Sequence, residues 1–323
     1  MKYSVILSLL LVALPTWLVD LTKDKLVIFS SLSYYKCDFD GDGLSDLSVW
    51  NPRTNTLYFQ LSSNKNFYQR RFFDKEVSFQ PVFADYDGDK KTDFAFFQGD
   101  TGQWVFYLTT KPDYPEKRFF GAINDLPVPA DIGGISVYKP TIWRPNSSAW
   151  LITEVQGENE TPRLILEGSY QDSVCSCDID GDSKSDLTVW RPDDGVWHTV
   201  TSSTDFDFGQ SDHIQYGQEW DVIVPNDYNA DGKCDLTVWR PSDQTWNIFY
   251  TGTKENDQIK FGHKDDIPLS ADLNGDRIPE LITWNQSKKT WNVLNFKTQE
   301  ALSYKWNVPA DCLPAVSILQ KHE

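Results

Sequence analysis

Short apolar stretches alternate with polar turns along almost the whole chain. A stretch such as DLSVW or DLTVW is followed by a turn and then by a second stretch such as TLYFQL or TWNIFY. A weaker third stretch such as HIQYG and a short apolar piece such as PVFAD complete the unit. Aromatic and β-branched residues favour strands, and no long segment shows a helical period. The pattern predicts an all-β protein made of four-stranded units.

These units return at intervals of about 47 residues. Each contains an aspartate that opens an acidic stretch, and the intervals between these aspartates are 47, 46, 47, 49 and 45 residues. The six aspartates are Asp38, Asp85, Asp131, Asp178, Asp227 and Asp272. A four-stranded sheet cannot bury both faces alone, so units of this length are typical of β-propeller blades. We predict one propeller domain over residues 20–323, with units starting near residues 34, 81, 127, 174, 223 and 268.

The number of blades depends on how the ends of the chain are used. A partial unit begins near residue 307, where VPAD at residues 308–311 precedes an apolar stretch at residues 315–319. Residues 21–33 could add the outer strands of the same unit. Closure by both termini would leave no blade edge unpaired. We therefore predict seven blades, with six as the alternative.

The acidic stretches have the form D-x-[DN]-x-D-x-x-x-[DE] in five of the six units. Ca²⁺ takes six to eight oxygen ligands, and oxygens at positions 1, 3 and 5 of a tight loop converge on one point. The acid at position 9 then closes the site. The predicted ligands are Asp38, Asp40, Asp42, Asp46, Asp85, Asp87, Asp89, Asp93, Asp178, Asp180, Asp182, Asp186, Asp227, Asn229, Asp231, Asp235, Asp272, Asn274, Asp276 and Glu280. An EF-hand would need Glu at position 12 and flanking helices, whereas strands flank these loops.

The third unit departs from this pattern. It keeps Asp131, but IGGIS at residues 132–136 replaces the other acids, so we expect no calcium there. The chain carries a net charge of −17, which argues against binding nucleic acid. Five bound Ca²⁺ ions would reduce this charge to −7. Much of the excess acid is thus expected to bind metal.

The loops and the strands that follow them resemble the FG-GAP/VCBS repeat family over residues 34–311. ADYDGDKKTD at residues 84–93 and DLTVWRP at residues 186–192 and 235–241 are close to its bacterial form. The family's loops are the calcium sites of integrin α-subunit propellers and related bacterial and fungal proteins. The resemblance implies a radial propeller with Ca²⁺ between the first and second strands of each blade. It also implies adhesion, ligand or sugar binding, and sometimes attachment to an enzyme.

Aromatic residues recur on both sides of the turn between the two strongest stretches. The first position holds Trp50, Phe97, Trp143, Trp190, Trp239 and Trp284, and the second holds Trp104, Trp150, Trp197, Trp246 and Trp291, with Leu57 in place of an aromatic residue in the first unit. Each pair is expected to meet across two strands. The pairs are interpreted as packing between blades, with exposed platforms for sugar rings as the alternative. Trp220 and Trp306 lie outside this pattern and are the candidate ligand-binding residues.

The N-terminal residues and the cysteines predict export. One lysine precedes an apolar run at residues 4–19, so residues 1–19 resemble a signal peptide whose removal leaves no membrane-inserted segment. An uncleaved anchor or a wrongly assigned start is the alternative. We expect a secreted, periplasmic or cell-surface protein. Disulfides are permitted there, and ring closure favours a Cys37–Cys312 bond, with Cys177–Cys234 as a weaker proposal. The alternative is that the five cysteines are small buried thiols.

Catalytic motifs are not evident in the sequence. The four histidines show no metal-ligand spacing, and no G-x-S-x-G, P-loop or G-x-G-x-x-G motif occurs. We therefore expect a non-enzymatic binding or adhesion module for a carbohydrate or protein ligand. Two alternatives remain open: a polysaccharide-acting hydrolase or lyase with a site in the channel or on the rim, and a structural surface protein that self-assembles.

Overall fold

The protein is a six-bladed β-propeller in a computed structural model that describes residues 28–29, 37–74, 77–156, 159–315 and 318–319. Each blade is an antiparallel sheet of four strands, as the repeat predicted. Among these residues, three short 3₁₀ helices lie at Pro145–Ser147, Ser202–Thr204 and Phe208–Gln210. Within the described residues, no helix has the length and apolar character needed to cross a membrane. The predicted signal peptide, residues 1–19, lies outside the described residues.

The strands follow the chain from blade to blade. Blade 1 contains β2 (Leu47–Asn51), β3 (Thr56–Gln60) and β4 (Phe67–Arg71). Blade 2 contains β5 (Gln80–Pro81), β6 (Phe94–Gln98), β7 (Gln103–Tyr107) and β8 (Glu116–Phe119). Blade 3 contains β9 (Leu126–Pro127), β10 (Thr141–Arg144), β11 (Ala149–Gln156) and β12 (Asn159–Leu166). Blade 4 contains β13 (Ser173–Cys177), β14 (Asp186–Arg191), β15 (Val196–Val200) and β16 (Asp212–Gln215). Blade 5 contains β17 (Val222–Ile223), β18 (Leu236–Arg240), β19 (Thr245–Phe249) and β20 (Asn256–Lys260). Blade 6 contains β21 (Ile267–Ala271), β22 (Glu280–Asn285), β23 (Thr290–Leu294) and β24 (Ala301–Lys305).

The prediction of seven blades is wrong, because the last partial unit belongs to the first blade. Its strand β25 (Leu313–Pro314) pairs with β2, placing Leu313 opposite Trp50. Cys37 continues the same side of the sheet, since its carbonyl oxygen accepts the Asp46 N–H. Of the segments proposed for a seventh blade, the described residues outside blade 1 include a two-residue ladder between β1 (Ile28–Phe29) and β26 (Ile318–Leu319).

Burial changes steadily across each sheet. The first strand of blade 4, β13, is buried at every position, and β14 is buried at all but its last residue. The fourth strands face solvent, and β24 is exposed at all five positions. The first strand therefore lies innermost and the fourth strand forms the outer edge of each blade.

The recurring aromatic pairs lie directly opposite each other, as predicted. Trp190 pairs with Trp197 across β14 and β15, and their ring centroids are 6.3 Å apart. Trp284 and Trp291 are paired in the same way at 4.8 Å. These tryptophans are at most 1% exposed, so they pack between blades and offer no platform to a ligand. Each such side chain buries roughly 150–250 Å² of surface, which makes these pairs a large part of the core.

The predicted Cys37–Cys312 disulfide is absent, and both thiols are buried and free. Cys37 lies beside Asp46 at one end of β2, whereas Cys312 precedes Leu313 near the other end. Five residues along a strand separate the two sites by about 16 Å, well beyond the roughly 6 Å between Cα atoms that a disulfide needs. The weaker proposal is the one observed, because Cys177 is bonded to Cys234 with a Cα–Cα distance of 6.0 Å.

Candidate metal centres in the acidic loops

Each acidic loop connects the innermost position of a blade to its second strand. The aspartate at position 1 shapes the loop, because its carboxylate accepts backbone N–H groups from positions 4 and 6. In the first loop, Asp38 accepts from Gly41 at 2.7 Å and from Gly43 at 2.9 Å. Both glycines have positive φ angles, +80° and +96°, a conformation that costs glycine little. Local hydrogen bonds thus bring the carboxylates at positions 1, 3 and 5 to one side of the loop.

The acid at position 9 closes the loop from the start of the second strand. One oxygen of Asp186 accepts the N–H of Ile179 at 2.7 Å, and the other accepts the N–H of Ser202 at 2.8 Å. Asp46, Asp93 and Asp235 make the equivalent pairs of bonds, at 2.7–3.0 Å. The closing acid therefore joins the loop to the end of the third strand.

Burial makes these closing acids sensitive to charge. Asp93, Asp186 and Asp235 are completely buried, and Asp46 and Glu280 nearly so. Burial raises the pKa of Asp46 and Asp93 to about 6, and that of Asp186, Asp235 and Glu280 to about 7. Neighbouring loop carboxylates push the same pKa values upwards. A cation at the centre of the loop would remove both penalties.

Three loops bring acidic ligand atoms close enough to share a metal ion. In each, one carboxylate oxygen from every member of a trio lies within 4.8 Å of the others. The trios are Asp38, Asp40 and Asp42; Asp85, Asp87 and Asp93; and Asp178, Asp180 and Asp186. An all-oxygen donor set fits a hard cation such as Ca²⁺ better than a metal that prefers nitrogen or sulfur.

The fifth and sixth loops have the same backbone path but carry asparagine at position 3. Asn229 donates to Asp231 at 3.1 Å, and the Asn274 amide donates to Glu280. Asp227 accepts N–H groups from Asp231 and Gly232, as position 1 does in the other loops. Asparagine keeps one oxygen for a metal while lowering the repulsion among the acids.

The third loop keeps the shape without the ligands. Asp131 accepts from Gly134 at 2.9 Å and from Ser136 at 2.6 Å, which reproduces the turn of the other loops. Position 9, however, holds Lys139. Its backbone pairs with Ala130, just as the backbone of the closing acid Asp93 pairs with Ala84 in blade 2. A lysine in place of the closing carboxylate does not suit a cation site.

Sequence reasoning missed the hydroxyl groups that contact the loop carboxylates. Ser62 Oγ donates to Asp42 at 2.7 Å, Thr109 Oγ1 to Asp89 at 2.6 Å, and Ser202 Oγ to Asp182 at 2.8 Å. The next residue in each case, Ser63, Thr110 or Ser203, donates to the carboxylate at position 3. The signal was present, because a Ser-Ser or Thr-Thr pair follows the third strand in these three blades.

Neighbouring loops are joined to one another around the ring. The carbonyl oxygen at position 1 of a loop accepts the N–H of position 8 in the loop of the next blade, at 2.6–2.9 Å. The donor–acceptor pairs are Thr92–Asp38, Tyr138–Asp85, Ser185–Asp131, Cys234–Asp178 and Ser45–Asp272. Between the fifth and sixth loops position 8 is Pro279, which has no N–H to donate. The Cys177–Cys234 disulfide crosses the same junction as the Cys234–Asp178 bond.

The two tryptophans proposed as ligand-binding residues lie in different environments. Trp220 is 65% exposed on the connection that leads into β17. Trp306 is only 6% exposed and contacts the rings of Phe67, Trp284 and Trp291. Trp220 therefore remains accessible to a ligand, whereas Trp306 belongs to the packing between blades 6 and 1.

Comparison with solved structures supports the propeller fold. The chain is similar to virginiamycin B lyase from Staphylococcus aureus, with a TM-score of 0.52, 9% sequence identity and 83% of each chain covered. It is similar to a streptogramin B lyase with a TM-score of 0.52 and 8% identity, over 88% of this chain and 87% of that one. At such low identity the likeness concerns the fold alone. No curated protein matches the chain significantly by sequence.

A family model described as the FG-GAP-like repeat matches residues 38–96. This stretch begins at the first acidic loop and extends through the second loop into β6. The other loops repeat the same hydrogen bonds in the blades that follow. The family match and the six four-stranded blades together support the identification of this chain as an FG-GAP/VCBS-type repeat propeller.

Proposed function

We propose that this protein is an exported calcium-binding propeller that serves as a binding or adhesion module for a carbohydrate or protein ligand. The observation that carries the calcium assignment is the repeated convergence of loop carboxylates, with ligand atoms within 4.8 Å of one another in three blades. The fifth and sixth loops are proposed to bind Ca²⁺ as well, through Asn229 and Asn274 in place of an acid. The third loop is proposed to bind none.

In this proposal, calcium neutralises the loop carboxylates and cross-links them, while the backbone of the loop holds these carboxylates in position. The residues at positions 1, 3, 5 and 9 would hold the ion, and the closing acid already connects its loop to the third strand. Because the loops are bonded to their neighbours, binding in one loop would also stabilise the contact between two blades. The role of the ion is therefore structural.

Export is supported by the apolar N-terminal run and by the Cys177–Cys234 disulfide. Disulfides persist in oxidising compartments and are rare in the cytosol of most organisms. We propose a secreted, periplasmic or cell-surface location. Fractionation of the native host, with immunodetection of the cytosolic and exported fractions, tests this. Recovery of the protein only from the cytosol would contradict it.

A glycan array probed with the full chain, with Ca²⁺ or with EDTA, tests the binding role. Calcium-dependent retention of a defined glycan without change in that glycan supports the lectin-like role. Release of shortened or unsaturated sugar products would instead indicate a hydrolase or lyase. A rise in light scattering on addition of Ca²⁺, without binding to any glycan, would indicate self-assembly. Pull-down with purified surface proteins in the same two buffers covers a protein ligand.

A further inference from the structure

A buried aspartate lies immediately before the first strand of blades 3, 4 and 5, and an arginine from the second strand holds it. The arginine follows the aspartate by nineteen residues in the sequence. Its Nε and Nη2 atoms donate to the two carboxylate oxygens at distances of 2.8–3.2 Å. The pairs are Asp125–Arg144, Asp172–Arg191 and Asp221–Arg240. The aspartate side chains are at most 1% exposed. Each blade thus neutralises its own buried carboxylate with a bidentate guanidinium.

Blade 6 keeps the aspartate but lacks the arginine. Asp266 is 7% exposed and precedes β21, and Asn285 occupies the arginine position nineteen residues later. Three groups donate hydrogen bonds to the Asp266 carboxylate: Asn285 Nδ2 at 2.5 Å, Thr283 Oγ1 at 2.8 Å and the His263 N–H at 3.0 Å. Within the part of the chain that the structure describes, no lysine, arginine or histidine nitrogen pairs with Asp266 within 4.0 Å.

A cavity of about 610 Å³ lies beside this carboxylate. Asp266 and Asn285 line it, and its polar wall continues outwards through Asn292 and Ser303. These groups are held in place, because Asn292 donates to Thr283 at 3.2 Å and Ser303 donates to Asn292 at 2.7 Å. The mouth carries the exposed side chains of Lys260, His263 and Lys288.

We propose that this cavity binds the guanidinium group of an arginine side chain from a partner protein, with Asp266 as its counter-ion. A buried carboxylate is costly unless a cation pairs with it, and three sister blades show that this backbone frame accepts a guanidinium. The net charge of −17 favours the approach of a cationic group.

This inference deepens the proposed binding role by naming one contact. The test titrates the calcium-loaded full chain with N-acetyl-L-arginine amide, and with the neutral N-acetyl-L-citrulline amide, by isothermal calorimetry and ligand-observed NMR. We expect the arginine probe to bind with a Kd on the order of 1 mM. The citrulline probe should bind at least roughly tenfold more weakly, because it forms no charge-assisted bond with the carboxylate.

Asn285→Arg is the decisive variant, since it supplies from within the chain the group that the ligand would bring. In this variant, blade 6 should fold as the sister blades do. The arginine probe should bind at least about tenfold more weakly, because it loses one charge-assisted contact with Asp266. Gln171→Arg is the matched control, because it adds the same charge on an exposed turn beside Asp172, which Arg191 already pairs. Asp266→Asn should also abolish the preference for arginine over citrulline.

Equal binding of the two probes, or unchanged binding in Asn285→Arg, would overturn the inference. A preference for N-acetyl-L-aspartate amide would assign the cavity to anions held by the lysines at its mouth, and would overturn it equally. Calcium stoichiometry and the glycan array are independent of these probes. Failure here is therefore distinguishable from failure of the proposed function.

Discussion

The guanidinium of Arg240 holds the carboxylate of Asp221 through two hydrogen bonds of 2.9 Å. The carboxylate is 1% exposed and the arginine side chain 20% exposed, so the pair is closed to water on the acid's side. The arginine comes from the end of β18 and the aspartate precedes β17. The pair therefore links the segment that precedes β17, the first strand of blade 5, to β18, the second strand.

Replacing Arg240 by methionine should lower the free energy of unfolding by about 3 kcal/mol, because Asp221 would be left buried without its cation. Chemical denaturation monitored by tryptophan fluorescence measures the change. The double variant Arg240→Met/Asp221→Asn should recover part of this loss, since the buried charge is then gone. A double variant no more stable than Arg240→Met alone would contradict this account of the pair.

Chelation of calcium should lower the melting temperature of the protein markedly. The ion is expected to bind only the folded loops, so its binding free energy adds to stability. Differential scanning calorimetry at fixed protein concentration, with about 10 mM Ca²⁺ or with EDTA, measures the shift, since this concentration exceeds the Kd of roughly 0.1–1 mM of extracellular calcium modules. An identical melting temperature in the two buffers would rule out the calcium assignment.

Removal of the ligand at position 3 of one loop should abolish binding of one calcium ion. Asp180→Ala removes a member of the trio in the fourth loop and should reduce the calcium stoichiometry by about one equivalent. Gly133→Ala changes the same position of the third loop, where the added Cβ would come no closer than 3.6 Å to its neighbours. It should leave the stoichiometry unchanged. Calorimetric titration of the two chelator-stripped variants compares them directly, and loss of an ion in Gly133→Ala would show that the third loop also binds calcium.

The chelated protein should become less stable as the pH rises from 5 to 8. Burial raises the pKa of Asp186 and Glu280 to about 7 in the folded protein, above the values of about 3.9 and 4.3 for unfolded Asp and Glu. A raised pKa gives stability that is present below the unfolded value and is lost as the pH passes through the folded one. Calcium binds the ionised carboxylates and should abolish this loss. Melting curves in EDTA and in Ca²⁺ across this pH range measure both effects; a chelated protein that gains stability towards pH 8 would contradict the expectation.

Reduction of the Cys177–Cys234 bond should destabilise the protein by about 4 kcal/mol, since the bond closes a span of 57 residues. Denaturation curves with and without dithiothreitol measure the effect. The double variant Cys177→Ser/Cys234→Ser serves as the control and should not respond to the reductant. Peptide mapping without reduction should find Cys37, Cys175 and Cys312 as free thiols. A Cys37–Cys312 peptide would contradict the pairing seen here.

The repeat period predicted the blades well because it is a local property of the sequence. Strand content, the loop between the first two strands and the facing Trp190–Trp197 pair all follow from spacing within one unit. The blade number does not, because residues 313–314 could extend the ring or complete blade 1, and only the pairing of Leu313 with Trp50 decides between them.

The convergence of the loop carboxylates was also predictable from local spacing, whereas their surroundings were not. Asp178, Asp180 and Asp186 converge because nine residues of turn sequence place them together. The hydroxyls of Ser202 and Ser203 come from the far side of a strand hairpin, so their contacts depend on register. Register likewise explains the wrong disulfide, since Cys37 and Cys312 lie on the same side of β2 but at opposite ends of it.

The composite inner edge of blade 1 has a consequence for the order in which the molecule can be made. On the ribosome, β2, β3 and β4 emerge before the strands of blades 2 to 6, yet β25, their partner at the centre of the ring, is synthesised after those blades. Blade 1 must therefore wait as an incomplete sheet with β2 unpaired on one side, an edge open to association with other chains. Nascent chains halted before residue 313 should consequently be the form of this protein most dependent on chaperones.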